Sequence, residues 1–162
     1  MKRIDLAALR ALAAEAAASP RRRKNLNLHE TLDDPIQRLC NAFEPGTYLR
    51  PHRHTAGGVW ELFALLTGRA AMLTFDDAGR VTGRTELGAE ANYVVEIAPA
   101  TWHSLVSLAP GTVLFEVKRG PYRPTGEHDF ASWAPKEGDA RAGAFVTWME
   151  SAMPGARAPA PV

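Results

Sequence analysis

Cysteine is nearly absent: Cys40 stands alone among 162 residues. No internal disulfide can form, a thiolate-rich zinc site is excluded, and a reducing cytosol suits such a chain. Neither sign of charge is in surplus, with 19 Lys and Arg against 18 Asp and Glu, for a net charge of +1. A protein built chiefly to hold nucleic acid needs a broad excess of cations to neutralise phosphates, so nucleic acid is not an expected partner. Long apolar runs are missing too. No stretch is long enough to cross a membrane. The opening MKRIDLAALRALAAEAAASP is broken by Asp5, Arg10 and Glu15, whereas a signal peptide needs a continuous apolar core. The expectation is a cytoplasmic protein with no membrane partner.

What the chain does contain divides it into three parts: a helix within 1–20, a β domain over 21–138, and a short helix with a disordered tail over 139–162. Alanine-rich residues from Ile4 to Ala18, with Leu6, Leu9 and Leu12 as an apolar stripe, predict a helix ended by Ser19-Pro20. This helix is expected to pack on the core or on a neighbouring subunit. From Asn25 to Tyr122 short β-prone runs follow one another: IQRLCNAF, TYLRPHRH, VWELFALLTG, AAMLTF, NYVVEIA, WHSLVSL and TVLFEVK. Turn residues separate them, and FDDAGR reads as a hairpin turn leading into VTGRTEL. No useful helical period interrupts the series, which excludes βαβ units and predicts an all-β sandwich or barrel. Residues Ala140 to Met153 suggest a last helix, and PGARAPAPV suggests a disordered end.

The chemistry concentrates in PHRHTAGGVWE, Pro51 to Glu61. In an extended TYLRPHRH, side chains alternate, so His52 and His54 share a face with Arg53 opposite. Gly57-Gly58 is turn chemistry that lets the next strand fold back. That strand begins with Glu61 and carries Phe63 and Leu65 on the same face. A carboxylate leading an apolar face is costly to bury unless it is paired or coordinated. His103, in PATWH after the turn fixed by Pro99, completes the set. His52, His54, Glu61 and His103 together suit one divalent transition metal, Zn, Fe, Ni or Mn, with open positions for water or substrate.

At these residues the sequence resembles the cupin superfamily. Gly46, His52, His54, Glu61 and Gly68 lie as in the first cupin motif, and Pro99 and His103 as in the second. The six residues between His54 and Glu61 exceed the general cupin spacing, and Ser107 stands where the second motif usually ends in asparagine. That longer spacing is similar to the WbuC-type cupin-fold metalloproteins. RKNLNLH, QRLCNAFEPGTYLRPHRH, WELF, LTFDDAGRV, VEIAPATWHSLV, FEVKRGPYRP and DFASWAPKEG carry the likeness from about Arg21 to Gly138. The resemblance implies a double-stranded β-helix, or jelly-roll barrel, with the metal inside it on His52, His54, Glu61 and His103. It also implies a small-molecule ligand of the sugar type, an association with carbohydrate metabolism, and a homodimer.

Other residues are candidates for the pocket. Lys118 and Glu116 share one face of TVLFEVK; inside a barrel they would bind an anionic substrate or move a proton, and outside it they would form a surface ion pair of little worth. Arg50 shares the face of the histidines and suits a carboxylate or phosphate, or else the barrel rim. Tyr122 falls in the turn after the last strand, and His29 on an alternating KNLNLH beside the site. The four positive charges from Arg21 to Lys24 read as a solvated linker between helix and barrel. Cys40 reads as a small buried hydrophobe, and Trp60 and Trp102 as packing residues behind the ligands.

Three functions fit these residues. The first is a metal-dependent enzyme on a small polar metabolite such as a sugar, working by isomerase- or epimerase-like Lewis-acid chemistry with Glu61 or Lys118 moving a proton. The second is an Fe(II)-dependent dioxygenase. The third is a non-catalytic, metal-stabilised sugar-binding module. Lys118 and Arg50 facing the interior favours catalysis; a pocket of apolar residues and four ligands alone favours binding.

Overall fold

A computed structural model describes residues 1–160. Asp5 caps the first helix, α1 (Leu6–Ala18), its side chain accepting from the Ala8 amide. Eight strands follow: β1 (Arg23–Asn27), β2 (Ile36–Phe43), β3 (Glu61–Thr67), β4 (Ala70–Phe75), β5 (Val81–Leu87), β6 (Val94–Ile97), β7 (Trp102–Ser107) and β8 (Thr112–Arg119). A short 3-10 turn (Glu127–Asp129) and α2 (Ala142–Ser151) complete the described elements. The strands form two antiparallel sheets, one of five in the order β1-β2-β8-β3-β6 and one of three in the order β5-β4-β7.

Layering follows from the alternation of side chains. Between the sheets, Phe43, Phe63, Met72, Leu87, Leu105 and Leu114 make one core cluster. The outer face of the five-stranded sheet is covered by α1, where Leu12 and Ala16 meet Cys40, Ala42 and Val113. The outer face of the three-stranded sheet is covered by α2 and the chain before it, where Leu73, Phe75 and Val106 meet Phe145, Val146 and Met149. AAMLTF is apolar on both faces because β4 is buried on both, one face toward each layer.

Two segments depart from the sequence reading. Thr47–His54 is extended, but its ladder pairing is confined to His52, which bridges His103 on one side and Phe130 on the other. Pro51 lacks an amide hydrogen, so a continuous ladder cannot run through it; the neighbouring bonds come from Arg53, whose amide donates to the Asp129 carbonyl, and from Ala131, whose amide donates to that of Pro51. The end of the chain differs as well. Gly155 and Ala158 donate to the carbonyls of Val81 and Gly79, and Val81 donates to that of Ala156. Within the described residues this end is an ordered extended segment along the free edge of β5, because an open strand edge offers unpaired donors and acceptors. The last two residues of the suggested disordered end lie outside the described ones.

Candidate metal centre and its cavity

Three chain segments bring the cluster together. His52 and His54 come from the extended segment, Glu61 from the first residue of β3, and His103 from β7 of the opposite sheet. His52 and His103 exchange both backbone hydrogen bonds (3.0 and 2.9 Å), which sets their rings side by side at 4.5 Å between centroids. Ligand atoms of all four residues lie within 4.8 Å of one another.

The protonation pattern prepares these atoms for a cation. Nδ1 of His52 lies 3.0 Å from the Arg50 carbonyl, and Nδ1 of His103 lies 2.9 Å from that of Thr101. A carbonyl only accepts, so each ring carries its proton on Nδ1 and turns the Nε2 lone pair inward. Two imidazole nitrogens face a carboxylate: His103 Nε2 is 2.9 Å from Glu61 Oε2, and His54 Nε2 is 3.1 Å from Oε1. Nε2 of His54, Nε2 of His103 and Oε2 of Glu61 are buried without a hydrogen-bond partner. Acceptors converging at contact distance repel one another unless a proton or a metal ion sits between them. The residues present therefore fit a divalent metal, with neutral imidazoles and one carboxylate as donors.

Electrostatics agree with the geometry. Burial, reinforced by the neighbouring His103 and His54, pushes His52 down to about 3, so its ring is neutral at physiological pH. Burial opposes ionisation of Glu61, but a proton shared from His103 or His54 where no ion sits between them, together with the Lys118 ammonium, outweighs it and holds the carboxyl well below the usual range. Lys118 lies between two carboxylates, its Nζ 3.1 Å from Glu61 Oε1 and 2.7 Å from Glu116 Oε1. Burial works against its charge, yet Glu116 and Glu61 prevail and keep the ammonium above the ordinary lysine range. Asn41 closes this line by donating to Glu116 Oε2.

A cavity of about 470 Å³ opens from the cluster between the two sheets. His52, Glu61, His103, Glu116 and Lys118 line its polar end, Phe43, Leu49, Phe63, Met72 and Leu105 its walls, and Arg21, Arg23 and Asn25 its other end. Lys118 and Glu116 thus face the interior. Arg50 does not line this cavity: its guanidinium donates to Glu127 (3.1 Å) and to the Ala131 carbonyl (2.9 Å) beneath Phe130. His29 is buried at the β1–β2 turn, where its Nδ1 accepts from the Arg38 amide at 3.1 Å. Tyr122 is exposed and lines a second cavity of about 440 Å³ that His54 and Lys118 also border. Trp102 packs on the far side of β7 from His103, with its indole donating to Asp77 and the Arg53 guanidinium 4.2 Å from its ring centroid.

Sequence reasoning missed two contributors. Asn41 sits in an apolar strand and gave no signal beyond being polar there. The Arg21–Lys24 run is not a linker: Arg23 and Lys24 begin β1, and Arg21 and Arg23 reach the cavity. The signal was available in the run's position immediately before an alternating strand.

Two facing antiparallel sheets enclosing a cluster of three histidines and a glutamate define a cupin-fold protein. The chain belongs to the family described as domain of unknown function DUF6016, whose model matches residues 4–87 and so includes His52, His54 and Glu61. No curated protein matches it. Among solved structures it is similar to TT1209 from Thermus thermophilus, with 15% identity and a TM-score of 0.52 over 74% of this chain and 97% of that one. It is similar to the capsular polysaccharide assembling protein CapF from Staphylococcus aureus, with 17% identity and a TM-score of 0.50 over 62% of this chain, which spans 27% of CapF. A cupin superfamily protein from Desulfitobacterium hafniense shares 15% identity at a TM-score of 0.47, over 60% of this chain and 76% of that one. At these identities the likenesses to TT1209 and CapF bear on the fold alone. No helix among the described residues is long and apolar enough to cross a membrane.

Proposed function

We propose that the protein is a metal-dependent enzyme acting on a small polar metabolite of the sugar type, of the WbuC kind within the cupins. The observation that carries this reading is the set of orphaned Nε2 and carboxylate atoms at the end of a cavity, with the Lys118 ammonium beside them. His52, His54, Glu61 and His103 are the metal ligands. A divalent ion held by them supplies Lewis acidity toward a substrate carbonyl or hydroxyl oxygen.

The chain's own groups do the rest. Lys118, held as an ammonium, donates a hydrogen bond to the substrate oxygen that gains negative charge, and is not available as a base. Proton acceptance falls to the carboxylates on either side of it, Glu61 and Glu116. The apolar walls exclude water from that exchange. An interior lined by Lys118, Glu116 and Asn41 favours catalysis over simple ligand retention, and isomerase- or epimerase-like chemistry uses this set fully. Arg50 positions His52, since the carbonyl that fixes the His52 tautomer is its own. Tyr122 approaches the centre from the His54 side, and His29 supports β2 without touching substrate.

Metal analysis of protein purified without an affinity tag tests the reading. Near-stoichiometric Fe, Ni, Mn or Zn is expected in the wild type, falling to a small fraction in His54→Ala. An absence of metal in both, with no uptake on titration, removes the enzyme reading. Oxygen consumption by the iron form with an organic substrate would instead make it a dioxygenase. We further infer a cytoplasmic homodimer; a sizing column that returns a monomer at micromolar concentration rejects the dimer.

A further inference from the structure

The end of the cavity remote from the metal cluster is built from the basic run. Along the five-stranded sheet, Lys118 pairs with Glu61 and Gln37, whereas Arg23 pairs with Phe43, which pairs with Thr112. Six residues on β8 therefore separate the two backbone levels, roughly 20 Å at the rise of an extended strand. The Arg23 guanidinium shortens that gap by reaching the Tyr48 carbonyl, four residues before His52 and roughly 13 Å from it along the chain. At this distant end Arg21 Nε and Nη2 bind Glu137 Oε1 and Oε2 (2.6 and 3.1 Å), and Arg23 Nη2 binds the same Oε2 (3.0 Å). Two guanidiniums share one carboxylate, so a positive charge is left over. Lys24, which also lines this end, is paired with Glu15 of α1, at 3.3 Å.

The backbone is shaped to make this pair. Arg22 lies between the two and adopts a left-handed conformation, φ +52°, which long side chains rarely take. Its own guanidinium is sent to the Pro45 carbonyl (2.9 Å), away from Glu137. Arg23 is anchored by a bond from Nη1 to the Tyr48 carbonyl (2.6 Å). One fork is rigid and largely enclosed, with the Arg23 side chain 16% exposed; the other, Arg21, is 59% exposed and Glu137 46%. An exposed carboxylate bridging two arginines that line a cavity is readily exchanged for another anion of the same shape, because guanidinium forks bind carboxylate and phosphate alike.

We propose that Arg21 and Arg23 form an anion subsite, that Glu137 fills it until ligand arrives, and that the cavity's ligand is acidic at the end opposite its chelating oxygens. The ligand class is thus a hydroxy-acid or sugar-like molecule carrying a terminal phosphate or carboxylate. This rests on the metal reading only for the chelated end.

Calorimetric titration of the metal-loaded protein with gluconate and with 6-phosphogluconate tests it, the two differing in the distal phosphate. The phosphorylated probe is expected to bind about tenfold more tightly or better, the scale of one charge-assisted contact. Arg21→Gln should erase most of that advantage while leaving gluconate affinity in place. Glu137→Gln, an exposed change that fold stability tolerates, should widen it, because a neutral side chain competes less well for the arginines. Equal affinities for the two probes, binding of neither, or an advantage indifferent to both substitutions overturns the proposal. If the metal reading alone is wrong, chelator-stripped protein keeps both its gluconate affinity and the phosphate advantage, and the subsite stands.

Discussion

Lys118 is held between two carboxylates, and its removal exposes what it compensates. In Lys118→Met the buried pair Glu61 and Glu116 loses its shared cation. Breaking a buried ion pair from one side costs roughly 3 kcal/mol, so urea unfolding of the metal-stripped variant should show a loss of that order. The loss should shrink in the metal-loaded variant, where a divalent ion also neutralises Glu61. An equal loss in both forms would mean that Glu61 is not a ligand. At this scale the sequence was informative wherever residue type and spacing act together: His52, His54, Glu61 and His103 converge, and Lys118 and Glu116 face inward. It was uninformative for Arg50, whose face along the strand follows from alternation but whose guanidinium is claimed by Glu127 and Ala131, more than seventy positions away. No local pattern encodes such a contact.

Elements are placed by turns as much as by strands. Gly68 joins β3 to β4 with φ +81°, and a Cβ there would run into the backbone and side chain of Thr112. Gly111, φ +70°, has open space around its missing Cβ. Gly111→Ala should therefore cost only the left-handed backbone term, about 1 kcal/mol. Gly68→Ala should cost roughly 3 kcal/mol, because overpacking adds to that same term. Thermal unfolding of the two variants checks the difference, and similar costs would deny the close approach. Strand positions were legible because IQRLCNAF, AAMLTF and TVLFEVK are short runs with recurring apolar residues between turn signals, and observed β2 spans the first of these, Ile36–Phe43. The ends were less so. Arg23 and Lys24 are charged yet begin a strand, since β1 is an edge strand with most of its residues exposed. The proline-rich end is ordered by an edge on β5 that lies far back in the chain.

Across the whole molecule, α1 and α2 cover the outer faces of opposite sheets, and each sheet's strands join the other only through loops and the packed interior. Glu61 belongs to the five-stranded sheet and His103 to the three-stranded one. An ion bound by both is then a rivet through the sandwich. Structural divalent ions that bind only the folded state stabilise it by mass action, about 2.7 kcal/mol at a hundredfold excess over Kd. Here the gain falls on relative motion of the two leaves. Hydrogen exchange at amides of β3 and β7 should slow together on metal loading, while α1, on the outer face of the five-stranded sheet, and β1, at that sheet's edge away from β3, should keep their rates. Uniform protection across the chain would mean that the ion tightens the fold globally; protection of β7 without β3 would mean that Glu61 leaves the shell. In a protein riveted this way, the occupancy of a single ion would set how often the space between its leaves is accessible.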